Sequence, residues 1–184
     1  MDNSVCDIAL YIIKEYNDEA HKVFPTYSKE FECGAEDFYL TKNKLLLLLF
    51  IIQGLYFSKF SKKAFFENIY ISSTNKFEIY IDEIKRIFQP LVTLKKDNRI
   101  FFINREYYIP KQLEAPLKRI VDKVLDTWGG YEEWYIKSKL KEFDCVRIAR
   151  EQGTFNIDIS TLAVDMRFAH NKESQGRWEE EDEW

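Results

Sequence analysis

The most apolar stretch of the chain, residues 40–60, limits what the sequence can fold into. Its run from Leu45 to Ile52 contains no polar residue, and Thr41 stands just before it as a candidate helix N-cap. Apolar residues occupy nearly every face of a helix drawn through this stretch, so the helix must be wrapped by other elements. The apolar run stops at Gln53, short of the ~20 residues that a membrane span needs. The stretch therefore predicts a central buried helix over about residues 41–59 and no membrane insertion.

Composition places the rest of the chain in one ordered globular domain. Of 184 residues, 46% are hydrophobic and 16% aromatic, which is enough to build a core without disulfides or metal. Five of the 31 acidic residues lie in the run 179–183, and without them 26 acidic groups face 27 basic ones. We therefore expect a nearly neutral helical domain over residues 1–170, followed by an acidic, disordered tail over 171–184.

The predicted fold class is mainly α, with a helical bundle around the central helix. Apolar residues recur at helical spacing in five further segments, namely 4–16, 77–88, 113–128, 131–138 and 158–166. Between Pro90 and Ile109 the pattern changes to short β-branched and aromatic runs around polar turns, which predicts a small antiparallel β-ribbon at about 91–109. Gly129 is expected to end one helix in the left-handed cap conformation. Residues 17–37 are expected to form a long connection. Because a connection of this length is unusual inside a domain, we interpret it as a functional insertion.

The cysteines and histidines form no recognisable metal or catalytic motif. Three cysteines, far apart and without a CxxC pair, fit a reducing cytoplasm, where we expect the protein to reside. Cys145 has basic neighbours in sequence and is weighed as a nucleophile, but an idle buried thiol explains it better. His21 and His170 are expected to be exposed polar residues. No phosphate-binding loop or nucleophile elbow is present, so we expect neither a cofactor nor enzymatic activity.

Two charged features leave a choice of binding partner open. Basic residues interleaved with aromatics are candidates for a nucleic-acid groove: Lys62, Lys63, Lys85, Arg86, Lys95, Lys96 and Arg99. The near-neutral body argues against that interpretation, which remains the alternative to protein binding. The acidic run 179–183 lies between Trp178 and Trp184, as expected either of a solvated tail or of a peptide that docks on a basic partner or on its own body.

Several of these segments together resemble the Panacea, or SocA-like, antitoxin domain family, also known as mobile-element GepA-like. The family begins with a helix similar to Asp7–Ile12 and continues with a segment of the form Leu-Thr-x-x-Lys-Leu-x-Lys-Leu-Leu-Tyr-x-x-Gln-Gly. The match to that segment consists of Leu40, Thr41, Lys44, Leu45, Leu48, Leu49, Phe50, Gln53 and Gly54. Residues 124–131 and 147–157 are similar to its later segments, so the resemblance spans about residues 5–168.

The chain departs from the family at three places. Leu47 stands where the family has the second lysine of the core helix, and Tyr70–Ser73 replaces a Gly-Pro-Val turn. Phe143–Val146 replaces a histidine and a Pro-Trp pair. These departures suit a divergent member of phage or mobile-element origin. Because of them, the fold carries over from the family better than any functional site does.

The resemblance implies a non-enzymatic, cytoplasmic protein that neutralises a partner by direct binding. The partner would be a protein, either a toxin or a host target, and exposed aromatic residues would supply the anchors. A regulatory protein that binds nucleic acid is the alternative. Gln53 is expected to be a core polar group that orders backbone inside the bundle.

Overall fold

A computed structural model describes residues 4–23, 34–74, 76–88, 91–103 and 111–175, with side chains up to Lys172. Its helices are α1 (Val5–Val23), α2 (Lys42–Phe60), α3 (Ala115–Trp128), α4 (Glu133–Leu140), α5 (Asp144–Glu151) and α6 (Ile159–Gln175). Its strands are β1 (Ile69–Ile71), β2 (Ile79–Ile81), β3 (Val92–Leu94) and β4 (Ile100–Phe102). The predicted fold class, a mainly helical bundle with a small antiparallel ribbon, is confirmed.

Helix α2 is the core helix that the apolar run predicts. The Thr41 hydroxyl oxygen accepts from the Lys44 backbone N–H at 3.2 Å, and Ser61 ends the helix in the left-handed conformation. Every residue from Leu45 to Leu55 is buried, although the helix is long and apolar enough to cross a membrane by those criteria alone. This burial inside the protein is the environment of a core helix.

Helix α1 starts where predicted but runs further. Ser4 and Asp7 cap it reciprocally, since the Asp7 carboxylate accepts from the Ser4 N–H at 3.1 Å and the Ser4 hydroxyl accepts from the Asp7 N–H at 3.2 Å. The predicted connection at 17–37 is wrong at its start, because α1 continues to Val23. Asn17 lies inside the helix and is buried, donating to the Ile100 carbonyl and accepting from the Leu40 N–H, both at 3.0 Å.

The rest of that connection is described only in part. Residues 35–38 form one short 3₁₀ turn, and residues 24–33 lie outside the described part of the chain.

The predicted helix over 77–88 is wrong, because residues 79–81 form β2, followed by a 3₁₀ turn at 84–87. Strand β2 pairs antiparallel with β1, matching Ile69 with Ile81 and Ile71 with Ile79. Phe77, Ile79 and Ile81 are buried at every second position, which is the spacing of a strand with one face in the core. Pairing with β1 selects this strand over the helix that the same residues would also allow.

Strands β3 and β4 form the predicted ribbon, with Val92 opposite Phe102 and Leu94 opposite Ile100. The end of the predicted ribbon, residues 104–109, lies outside the described residues. Both two-stranded units are extended by nearby backbone. The Ile71 N–H donates to the Phe155 carbonyl beside β1, and the Ile100 N–H donates to the Leu40 carbonyl beside β4, both at 2.9 Å. Such pairing stabilises hairpins that would be marginal alone.

Helices α1, α3, α4 and α6 pack against α2, with α6 packing along it most extensively, and α5 packs on α6. The sequence reading missed α5 and ended α6 too early. Because α6 reaches Gln175, residues 171–175 are helical and do not belong to a disordered tail, whereas residues 176–184 lie outside the described part. The Asp158 carboxylate caps α6, accepting from the Thr161 N–H at 2.7 Å.

Candidate protein-binding surface

The junction between α3 and α4 is fixed to the core helix through one backbone carbonyl. The Gly129 carbonyl accepts from the Lys44 ammonium at 2.7 Å and from the Tyr16 hydroxyl at 3.1 Å. Lys44 also donates to the Tyr16 oxygen at 2.8 Å and lies over that ring, with Nζ 5.0 Å from its centroid. Gly129 is right-handed, with φ −62°, so the predicted left-handed cap is wrong. The lysine supplies the cation that favours a helix C-terminus.

A second network ties the first turn of α4 to the N-terminus of α2. The Glu133 carboxylate accepts from the Thr41 hydroxyl at 3.0 Å, from the Asn43 amide at 3.2 Å and from Lys137 at 2.7 Å. Partial burial opposes ionisation of this carboxyl group, but the Lys137 ammonium and the neutral donors outweigh it and lower the pKa of Glu133. Glu133 is therefore a charged structural tie.

From this anchored junction a series of rings leads from the core to the surface. The Trp128 side chain is fully buried and meets Tyr131 edge-on at 6.1 Å between ring centroids. Tyr131 lies 4.6 Å from Tyr135, and Tyr135 lies 5.9 Å from Trp134. We call these four residues the aromatic row. Its last member, Trp134, is 70% exposed.

The aromatic row has the properties of a rigid binding anchor. Tryptophan and tyrosine offer large contact areas at low conformational cost, and such residues dominate the energetics of protein interfaces. Lys44, Thr41 and Glu133 hold the backbone that carries Trp134, which lowers the entropy cost of ordering that backbone in a complex. The surface is therefore suited to binding by packing and ring contacts.

The other polar residues of the family-like motif are used inside the fold. Gln53 is fully buried: its oxygen accepts from the Ala64 and Phe65 N–H groups at 2.9 and 3.2 Å, and its nitrogen donates to the Phe65 carbonyl at 2.9 Å. This geometry matches the expectation that Gln53 orders backbone. A Cβ on Gly54 would lie 2.5 Å from Cγ of Met166, so glycine permits the close crossing of α2 and α6. The motif's apolar members, Leu45, Leu48, Leu49 and Phe50, are buried core.

The candidate nucleophile Cys145 lies in an environment that disfavours the thiolate. Its side chain is buried, and burial together with the Asp165 carboxylate raises the pKa of the thiol. Asp165 also accepts from the Cys145 backbone N–H at 2.9 Å, which caps α5. The idle, buried thiol is the interpretation that this geometry supports.

The expectation of two exposed histidines is wrong for His170. That side chain is buried on α6, where its Nδ1 accepts from the Trp128 indole N–H at 3.4 Å. Burial and the nearby Lys123 charge lower the pKa of His170 to about 4. His21 is half-buried against the Tyr39 ring and hydroxyl. Among the described residues, no group of three or more potential ligands is placed to hold a metal ion.

Part of the proposed nucleic-acid groove is occupied by internal contacts. Arg86 pairs with Glu83, and Arg99 donates to the Tyr39 carbonyl at 2.9 Å. Lys95 lies over the Phe101 ring, with Nζ 4.0 Å from the centroid. These contacts stabilise the irregular segments to which the residues belong, so three of the seven cations have structural partners.

A concave surface lies beside α1, at the base of the segment that the sequence suggested as an insertion. It encloses about 330 Å³ and is lined by Lys14, Asn17, Asp18, Glu36, Tyr39, Lys95, Phe101 and Phe102. Lys14 pairs with Asp18 at 2.6 Å across its wall. These lining residues, which combine paired charges with aromatic rings, do not match a known catalytic arrangement.

Sequence reasoning used Trp134 only as a marker of helical spacing and did not single it out. A signal was present, because Trp134 directly follows two acidic residues, Glu132 and Glu133, and stands beside Tyr135 in a short helix. No protein-family model matches the chain, and neither a curated protein nor a solved structure shows a significant match to it.

Proposed function

We propose that this protein is a cytoplasmic, non-enzymatic binding domain that acts by holding a partner protein through the surface around Trp134. The observation that carries the proposal is a 70% exposed tryptophan at the end of a ring series rooted in the core. Large aromatic residues on rigid supports are the usual centres of protein interfaces.

The resemblance to the Panacea and SocA-like family supplies the class of partner. On that basis we propose an antitoxin-like role, in which the domain neutralises a toxin or inhibits a host target by direct binding. The motif residues Thr41 and Lys44 contribute indirectly, since their contacts with Glu133 and Gly129 hold the backbone that presents Trp134.

Growth rescue tests this function. The full chain is co-expressed with the product of the gene adjacent to its own, and colony formation is compared with expression of that product alone. We expect the wild-type chain to restore growth and Trp134→Ala to lose the rescue, because truncating a central aromatic anchor removes about 2 kcal/mol or more of binding free energy.

Phe66→Ala provides the matched control. Phe66 is 65% exposed but lies outside the aromatic row, in the loop between α2 and β1. We expect this variant to rescue growth as well as the wild type does. Loss of rescue by both variants, or by neither, would contradict a site at Trp134. A gel-mobility shift with DNA or RNA at low salt that weakens as salt rises would support the nucleic-acid alternative instead.

A further inference from the structure

Helix α6 presents a second apolar surface, separate from the aromatic row. Val164 and Phe168, one helical turn apart, are 56% and 72% exposed on the side of α6 away from buried Leu162 and Met166. We call Val164 and Phe168 the α6 ridge. Two neighbouring bulky apolar side chains on a helix exterior are unusual unless something covers them.

Two exposed cations lie on α6 next to the α6 ridge. Arg167 follows Val164 by three residues, and its guanidinium donates to the Ser58 carbonyl of α2 at 3.1 Å. Lys172 lies one turn beyond Phe168. Asp165, on the same helix, accepts from the Cys145 N–H of α5 at 2.9 Å. The ridge therefore combines apolar side chains with the adjacent cations Arg167 and Lys172.

The end of the chain has the complementary composition. Residues 178–184 read Trp-Glu-Glu-Glu-Asp-Glu-Trp, which places a tryptophan at each end of five negative charges. Tryptophan can cover the ridge while the carboxylates face its cations. We propose that residues 178–184 of this same chain dock on the α6 ridge.

The connection is long enough for this contact within one molecule. At about 1.5 Å of rise per helical residue, Phe168 lies roughly 10 Å back along α6 from Gln175, and Val164 roughly 16 Å. An extended segment covers up to about 3.3 Å per residue, so Trp184, nine residues beyond Gln175, has up to about 30 Å of chain and can fold back past Val164. Trp178, three residues beyond Gln175, has only about 10 Å, so Trp184 is the tryptophan that can cover the ridge. A short tether also gives an effective concentration in the millimolar range, so a weak contact suffices for occupancy.

Limited proteolysis of the full chain tests the proposal. Endoproteinase Glu-C cleaves after the glutamates of 179–183, and mass spectrometry follows the loss of the terminal residues over time. We expect the double variant Val164→Ser, Phe168→Ser to lose them about fivefold faster than the wild type, because cleavage follows the undocked population. A charge variant, Arg167→Gln with Lys172→Gln, should also accelerate cleavage without adding a cleavage site.

Phe66→Ser is the matched control, since it removes an equally exposed aromatic group elsewhere, and its cleavage rate should equal that of the wild type. Circular dichroism melting confirms that each surface variant is folded. Equal cleavage rates in the wild type and the ridge variant overturn the proposal. Protection that increases with protein concentration also overturns it, because the segment would then dock on a second copy. Trp134→Ala should leave the protection unchanged, so this result is independent of the proposed partner site.

Discussion

The two ends of α2 use the same kind of residue for different purposes. In its C-terminal half, Gln53 and Gly54 are buried and contact residues 64–65 and α6. At the N-terminal end, Thr41 and Lys44 are half-buried and reach outward to the α3–α4 junction. Polar residues of one motif therefore satisfy backbone groups inside the core at Gln53 and join α2 to the α3–α4 junction at Thr41 and Lys44. Substitutions at Gln53 or Gly54 should therefore destabilise the whole protein, whereas substitutions at Thr41 or Lys44 should mainly affect partner binding.

The largest effect is expected from Gln53→Met. Methionine keeps the side-chain length but leaves the Ala64 and Phe65 N–H groups and the Phe65 carbonyl buried without partners. We expect a loss of about 4 kcal/mol in the free energy of unfolding, measured by urea denaturation. A loss below about 1 kcal/mol would mean that residues 64–65 rearrange freely and that Gln53 does not hold them in the core.

Gly54→Val should cost about 3 kcal/mol, because its side chain collides with Met166 and Leu162 at the crossing of α2 and α6. Thermal unfolding measures the effect. Adding Met166→Ala should recover part of the stability lost by Gly54→Val, since the two sites compete for one volume. Strictly additive effects of the two substitutions would contradict this close approach.

Acid should weaken the packing of α6 on α3. The pKa of His170 is about 4 in the folded protein, below its ordinary value of 6.5, so the unfolded chain binds more protons between these values. The free energy of unfolding should therefore fall as pH decreases from 6.5 to 4, by on the order of 2 kcal/mol. Denaturation at several pH values should show a smaller decrease in His170→Gln, and an identical decrease in both proteins would contradict the assignment.

Lys44→Met tests the contacts at the N-terminal end of α2. It should lower the free energy of unfolding by about 1.5 kcal/mol, since it removes the charged hydrogen bond to the Gly129 carbonyl and the contact with the Tyr16 ring. Hydrogen exchange should increase at the amides of residues 129–135 more than in α2. An increase spread evenly over the whole protein would show that Lys44 has no particular role at the junction.

The difference between the two ends also explains what the sequence could predict. The apolar run locates α2, and a glutamine inside it can only be a satisfied core group, so Gln53 was assigned its role correctly. Asn17 has the same role in α1, but an asparagine followed by charges reads as a helix end. Its two partners, Leu40 and Ile100, lie far along the chain, and no local pattern shows them.

Other errors have the same origin in long-range contacts. Phe77 to Ile81 satisfies both helical and alternating patterns, and only pairing with β1 decides between them. The aromatic row is formed by α3 and α4 together, and the exposure of Trp134 depends on how α4 is tied to Thr41 and Asn43. Such features follow from tertiary structure and are not visible in the spacing of residues.

Isothermal titration calorimetry with the partner that growth rescue identifies measures whether Trp134 binds that partner, when the wild-type chain is compared with Trp134→Ala. We expect at least about 30-fold weaker binding by the variant, with an unfolding free energy within about 0.5 kcal/mol of the wild type, because the indole is exposed. Equal affinity of the two proteins, or weaker binding accompanied by a comparable loss of stability, would contradict a partner-binding role for Trp134.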